Sequence, residues 1–194
     1  MVLTLLDTTR KVNGVEQDTG ALGHGLAFAV GLALAGKRGR KDYRVFTLLG
    51  HGELAEGSHW EARMTHHSLH DFAALRAINN VTVVASADNF ETREAVVAAA
   101  KTDAPVYLRF GKKKMPHLPR GAEGFELGKA SVVRQGTDLR FLACGETLAP
   151  AWEAAESLTK EGIACRVVGV HTIKPLDIHG SALAETAHGL LARH

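Results

Sequence analysis

A mostly apolar run at 43–49, YRVFTLL, stops at Gly50-His51-Gly52. Seven such residues closed by a glycine turn have the length and character of a buried parallel strand. Ahead of it, 21–37 reads ALGHGLAFAVGLALAGK, behind Asp18-Thr19-Gly20. Small and apolar residues recur there at helical spacing, and Gly36 closes the pattern. Glycine costs helix stability, so its presence inside a helix needs a reason. Close approach of the backbone to another element or to a ligand is one. A helix leading into a buried strand that opens into a glycine turn is the beginning of an α/β unit.

The alternation continues down the chain. Residues 68–78, SLHDFAALRAI, read as a helix with Ser68 as cap and Asp71 three positions on. VTVVA at 81–85 reads as a strand, Asp88 caps a helix over ETREAVVAAAK, and 105–110, PVYLRF, is the next strand. Residues 111–124, rich in Lys, Gly and Pro, read as a linker near a domain boundary. Beyond it, KASVVRQGTDLRFLAC carries two β-runs around an Arg-Gln-Gly-Thr-Asp turn. A helix at 148–160, a strand at 163–170 and a last helix at 181–193 complete the pattern. The expected class is α/β, a mostly parallel sheet flanked by helices, with a C-terminal α/β subdomain. The segments divide as 1–64, 65–120 and 121–194.

Composition narrows the partners. The chain has 194 residues, 45% of them apolar, which suffices for one core or two small modules. Lys plus Arg number 23 against 21 acids, a net charge of +2. That balance gives no basis for nucleic-acid or anionic-membrane binding. Cys144 and Cys165 lie inside apolar runs and read as buried free thiols of a reducing compartment. The opening MVLTLLDTTRK has no basic run before its apolar residues and does not read as a signal peptide. The longest apolar segment, 21–35, is interrupted by Gly23, His24, Gly25 and Gly31, which argues against a membrane span. A cytoplasmic protein is expected.

For chemistry, the first candidate is Gly50-His51-Gly52-Glu53-Leu54-Ala55-Glu56-Gly57, at the C-terminal end of a strand. Open α/β sheets bind ligands at that edge, and paired glycines let backbone approach a phosphate or metal. Read alone, it is better taken as a plain strand-to-helix turn. Five histidines follow within 51–70: His51, His59, His66, His67 and His70. His67 and His70 share a helix face, and with Glu53 or Glu56 they form a candidate zinc or nickel site. Scattered surface histidines are the simpler reading.

Three blocks carry a resemblance. GVEQDTGALGHGLAFAVGLALAGK and DYRVFTLLGHGELAEGSHWEA resemble the diphosphate-binding domain of transketolases, over most of residues 14–63. That family has Thr-Thr-Gly-x-Leu-Gly-x-Gly at the helix start and Gly-Asp-Gly-x-x-x-Glu-Gly at the strand end. THHSLHDFAALRAINNVTVVASADNFETREAV and PVYLRFGK are similar to the end of its pyrimidine-binding domain. FELGKASVVRQGTDLRFLACG and GIACRVVGVHTIKPLD are similar to its C-terminal domain. The blocks keep family order but stand closer together, with joins near Met64 and near Asp177.

The resemblance implies transfer of a two-carbon ketol unit between sugar phosphates, using thiamine diphosphate with Mg2+ or Ca2+, in a homodimer that shares its sites. Position by position, it places Gly20 and Leu22 near the thiamine, and Gly50, His51, Gly52 and Glu53 at the diphosphate. His51 stands where the family has the metal-binding Asp, and a neutral imidazole suits zinc or another transition metal better than magnesium. Glu56 matches a glutamate linking the two sites of the dimer, and otherwise reads as a first-turn helix acid. Thr65-His66 matches a Thr-His whose imidazole meets the donor substrate near the reacting carbon. Arg109 matches an arginine that binds the acceptor's phosphate. The glutamate that assists ylide formation has no counterpart here. The alternative is a non-catalytic remnant that folds and dimerises, or pairs with another, full-length subunit, without binding the cofactor.

Overall fold

The computed structural model describes residues 2–6, 15, 17–19, 24–49, 71–111, 116–119 and 124–178. The chain divides into two compact units, Met1–Asp71 and Phe72–His194.

In the first unit, β1 (Val2–Leu6) lies between β2 (Gln17–Thr19) and β3 (Val45–Leu48), all parallel. The opening apolar stretch, read from sequence only as lacking a signal peptide's features, is thus the central strand of a sheet. Helix α1 (His24–Arg38) precedes β3. The 43–49 strand is parallel, as expected, but only half-buried, with Leu48 exposed. Its place at the end of the order of described strands, with one strand neighbour among them, leaves it partly uncovered.

Gly36 does not end α1, which runs on through Lys37 and Arg38, two cations suited to the helix C-terminus. Lys41 N–H donates to Gly36 O at 2.9 Å, and Arg40 takes a positive φ of 48° to close the turn. The glycines of α1 divide by cause. A Cβ on Gly36 would lie 2.7 Å from the Tyr43 ring, whose hydroxyl donates to Leu32 O at 2.9 Å. At Gly31 a Cβ would meet nothing.

In the second unit, β4 (Thr82–Ala85), α3 (Asn89–Lys101) and β5 (Val106–Arg109) form a parallel crossover, in register from Thr82↔Val106 to Ala85↔Arg109. Asp88 caps α3 as the sequence suggests, its carboxylate accepting from Glu91 N–H at 2.9 Å. Buried Glu91 in turn accepts from Ala87 N–H at 2.7 Å. Short helix α2 (Asp71–Ala77) begins at the unit boundary, and Ser68 lies outside the described residues.

β6 (Ser131–Arg134) and β7 (Leu139–Ala143) do not pair with each other; they flank β8 (Cys165–Gly169), β6 antiparallel and β7 parallel to it. Their connecting turn is held down instead. Asp138 accepts from Ala164 N–H at 2.7 Å, and a Cβ on Gly136 would overlap the Cys165 carbonyl. Helix α4 (Leu148–Lys160) covers this sheet with the bounds the sequence suggests. Leu148, Ala149, Ala155, Val133, Cys165 and Val167 form its core, with Trp152 and Phe141 packed against it.

After β8 the chain changes sheets. Val170 N–H donates to Ala143 O, and Ala85 N–H donates to His171 O, both at 2.8 Å. Then β9 (Thr172–Lys174), which no sequence pattern marked, pairs antiparallel with β4. The fold is α/β, and four of the six strand pairings described are parallel. The described strands form three small sheets rather than one.

Two further expectations change. The 111–124 linker is not wholly solvated, since Leu118 is buried in the α4 core and its N–H donates to Asp88 at 3.4 Å. Cys165 is buried but Cys144 only half-buried, and both are free thiols. No helix among the described residues is long and apolar enough to cross a membrane. The helix expected at 181–193 lies outside the described residues.

Candidate functional site

The C-terminal edge of β4 and β5 gathers the described residues with the most chemistry. Arg109 is the last residue of β5 and pairs with Ala85 of β4. Ser86 N–H donates to Arg109 O at 3.2 Å, so the backbone at this edge is tied across. Registered residues of neighbouring strands share a sheet face, which puts Arg109 and Ala85 on one side. The turn after β7 comes to that side. Gly145 adopts φ +53°, and a Cβ on it would lie 3.2 Å from the Ala85 methyl. A side chain there would be strained by the backbone and crowded by β4.

Three neighbours surround this edge. Phe72, on α2, holds its ring 4.8 Å from the Arg109 guanidinium carbon. Cys144 feels the Arg109 charge: burial pushes the thiol up and the guanidinium pulls it back, with burial the larger effect. Glu146 lies against Gly111, where a Cβ would overlap its carboxylate. Phe72, Cys144, Gly111 and Glu146 were not chosen from sequence as site residues. Phe72 reads there as an ordinary apolar helix residue and Gly111 as the start of the linker.

A second polar group sits where the chain changes sheets. His171 is buried, stacked on Phe125 with ring centroids 4.2 Å apart, and its Nδ1 is 3.0 Å from Thr172 Oγ1. The same Oγ1 accepts from Gly128 N–H at 3.0 Å. This cluster ties the 124–130 segment to β9, and Ala130 N–H adds a 3.0 Å bond to Asp177. It is a structural fastening. Among the described residues no group of three or more His, Cys, Asp or Glu could hold a metal.

Of the residues singled out in the sequence, Arg109 is placed at this edge. Gly20, Leu22, Gly50, His51, Gly52, Glu53, Glu56 and His66 lie outside the described residues, as do His59, His67 and His70.

Comparison with known proteins matches the family model for the transketolase pyrimidine-binding domain over residues 32–117. The model for the transketolase C-terminal domain matches residues 128–192. The first match begins inside the segment that resembles the diphosphate-binding domain. The chain is 39% identical over 115 residues to one of the subunits of the apulose-4-phosphate transketolase of Phocaeicola vulgatus, covering 59% of this chain and 37% of that protein. It is 38% identical over 113 residues to the 6-deoxy-6-sulfo-D-fructose transketolase subunit SqwH of a Clostridium species, covering 58% and 35%. It therefore spans little more than a third of these relatives' length. A split-gene transketolase solved as an inactive beta4 tetramer is 26% identical, with a TM-score of 0.77, over 96% of this chain and 70% of that one.

Proposed function

Because the chain belongs to the transketolase family through its pyrimidine-binding and C-terminal domains, we propose that it serves thiamine-diphosphate-dependent transfer of a two-carbon ketol unit between sugar phosphates. The observation that carries this reading is Arg109 at the end of β5, at the sheet edge where α/β proteins bind ligands. A guanidinium presents a fork of N–H donors that matches phosphate oxygens in two parallel bonds. On this reading Arg109 receives the acceptor's phosphate, and His66 exchanges protons or hydrogen bonds with a donor hydroxyl near neutral pH. Glu56 belongs to the carboxylate contacts linking paired sites. Gly20, Leu22, Gly50, Gly52 and Glu53 approach the cofactor. When bound, thiamine diphosphate supplies the electron sink that side chains lack.

The metal fits less well. Magnesium and calcium take oxygen ligands, and His51 offers a nitrogen where the family offers a carboxylate.

Assembly is part of the same proposal. α1 leaves Phe28, Val30 and Leu34 45%, 52% and 56% exposed, an apolar set for a partner to cover. A homodimer, or pairing with a separate polypeptide, would cover it. Both relatives described above are named as subunits of transketolases, which supports the second arrangement for this chain.

Calorimetric titration with thiamine diphosphate, with and without magnesium, tests the function. Micromolar, metal-dependent binding is expected; silence at millimolar cofactor sinks the enzymatic reading. His51 favours a second reading, a non-catalytic remnant that folds and pairs without the cofactor. Binding that appears only in His51→Asp would assign the loss to that one ligand. Zinc binding abolished by His67→Ala would instead support the histidine-rich metal site.

A further inference from the structure

A strand-end arginine has many rotamers and a phosphate fork has few, so something must hold the guanidinium in plane. The Phe72 ring lies 4.8 Å from the Arg109 guanidinium carbon and meets that need. A cation–π contact over the ring face engages the guanidinium's charge and does not itself use any of its five N–H donors in a hydrogen bond. The platform is itself secured. At the far end of α2, Lys174 Nζ donates to Arg76 O at 3.2 Å, to Leu75 O at 3.5 Å and to Ile78 O. A cation there satisfies the last helix carbonyls and suits the negative end of the dipole. Lys174 belongs to β9, β9 pairs with β4, and β4 pairs with β5, which ends at Arg109. Ring and guanidinium are therefore carried by one hydrogen-bonded frame.

We propose that Phe72 is a positioning residue for Arg109: its ring orients the guanidinium so that the donor edge meets a phosphate monoester. The inference rests on the reading of Arg109 as a phosphate contact. It adds that affinity depends on an aromatic face at position 72 and not merely on apolar bulk.

The full chain can be titrated with inorganic phosphate, followed by phosphorus NMR, as wild type, Phe72→Leu, Phe72→Trp and Arg109→Gln. The Arg109 Nε–H proton is observed in parallel, and thermal unfolding checks each variant's fold. In the wild type that proton should carry a ring-current shift, lost in Phe72→Leu. Phe72→Leu should weaken phosphate binding by about two- to fivefold, the range expected of an exposed cation–π contact. Phe72→Trp should restore it, a rescue that packing volume alone does not predict. No ring-current shift, unchanged affinity in Phe72→Leu, or failure of Trp to rescue would overturn the positioning role, even if Arg109→Gln abolishes binding. Should Phe72→Leu not fold, the wild-type shift and the Phe72→Trp affinity still decide. No phosphate binding by the wild type, or binding indifferent to Arg109→Gln, would remove the Arg109 reading itself and this proposal with it.

Discussion

Asp88 shows how much one side chain can hold. Its carboxylate caps α3 through Glu91 N–H and reaches Leu118 N–H in the segment beyond β5. Asp88→Ala should therefore cost about 1–3 kcal/mol, a lost cap plus a stranded buried N–H, read from urea unfolding. Cys144 reports on Arg109. Removing the nearby positive charge with Arg109→Gln leaves burial unopposed, so the thiol should titrate still higher. Modification by a disulfide reagent at mildly alkaline pH should then slow, with buried Cys165 a silent background. A faster reaction would mean that Arg109 does not act on this thiol. Stability follows the same sign. Between the unfolded thiol's range and the raised folded one, the unfolded chain has lost a proton that the folded chain keeps. Stability falls as pH rises through that alkaline window, and Cys144→Ala should flatten the fall.

At the scale of elements, local signals placed most of the second unit. The cap at Asp88 and the apolar periodicity of 148–160 are both written within one or two helical turns, and the structure keeps both. Pairing was not legible. KASVVRQGTDLRFLAC holds two β-runs, but which strand each joins depends on β8, some 20 residues farther on. Gly136 is the local trace of that choice, because only its missing side chain lets the turn lie on the Cys165 backbone. Gly136→Ala should cost several kcal/mol, on the order of 2–4, since backbone cannot move aside. Gly111→Ala should cost about 1 kcal/mol or less, because the Glu146 carboxylate it meets can swing to another rotamer. Comparable losses in the two variants' melting curves would refute this distinction. β9 escaped notice for a related reason: three residues, TIK, carry no periodicity, and their strand character comes from β4.

For the whole molecule, the exposed apolar residues of α1 set the next test. On the homodimer reading, Leu34→Lys places a charge among these residues and should reduce self-association in sedimentation velocity, with circular dichroism unchanged. Unaltered association would place the interface elsewhere. The candidate site was read from sequence only as family pattern. Glycine turns and a Thr-His pair match family positions by their order along the chain, and Arg109 was singled out by its match near the end of PVYLRF. What surrounds Arg109 was not legible, since Phe72, Cys144 and Glu146 lie 37, 35 and 37 residues away in sequence. The amino-acid order by itself determined the α/β alternation, the helix cap and the family, because these rest on neighbours a few residues apart or on motif order. Tertiary structure alone decided that strands of the second unit divide between two sheets, that a three-residue strand joins β4, and that an aromatic ring lies beside Arg109. Each of these needs contacts between distant residues, whose free energy comes from hydrogen bonds and buried surface that exist only once the chain has closed.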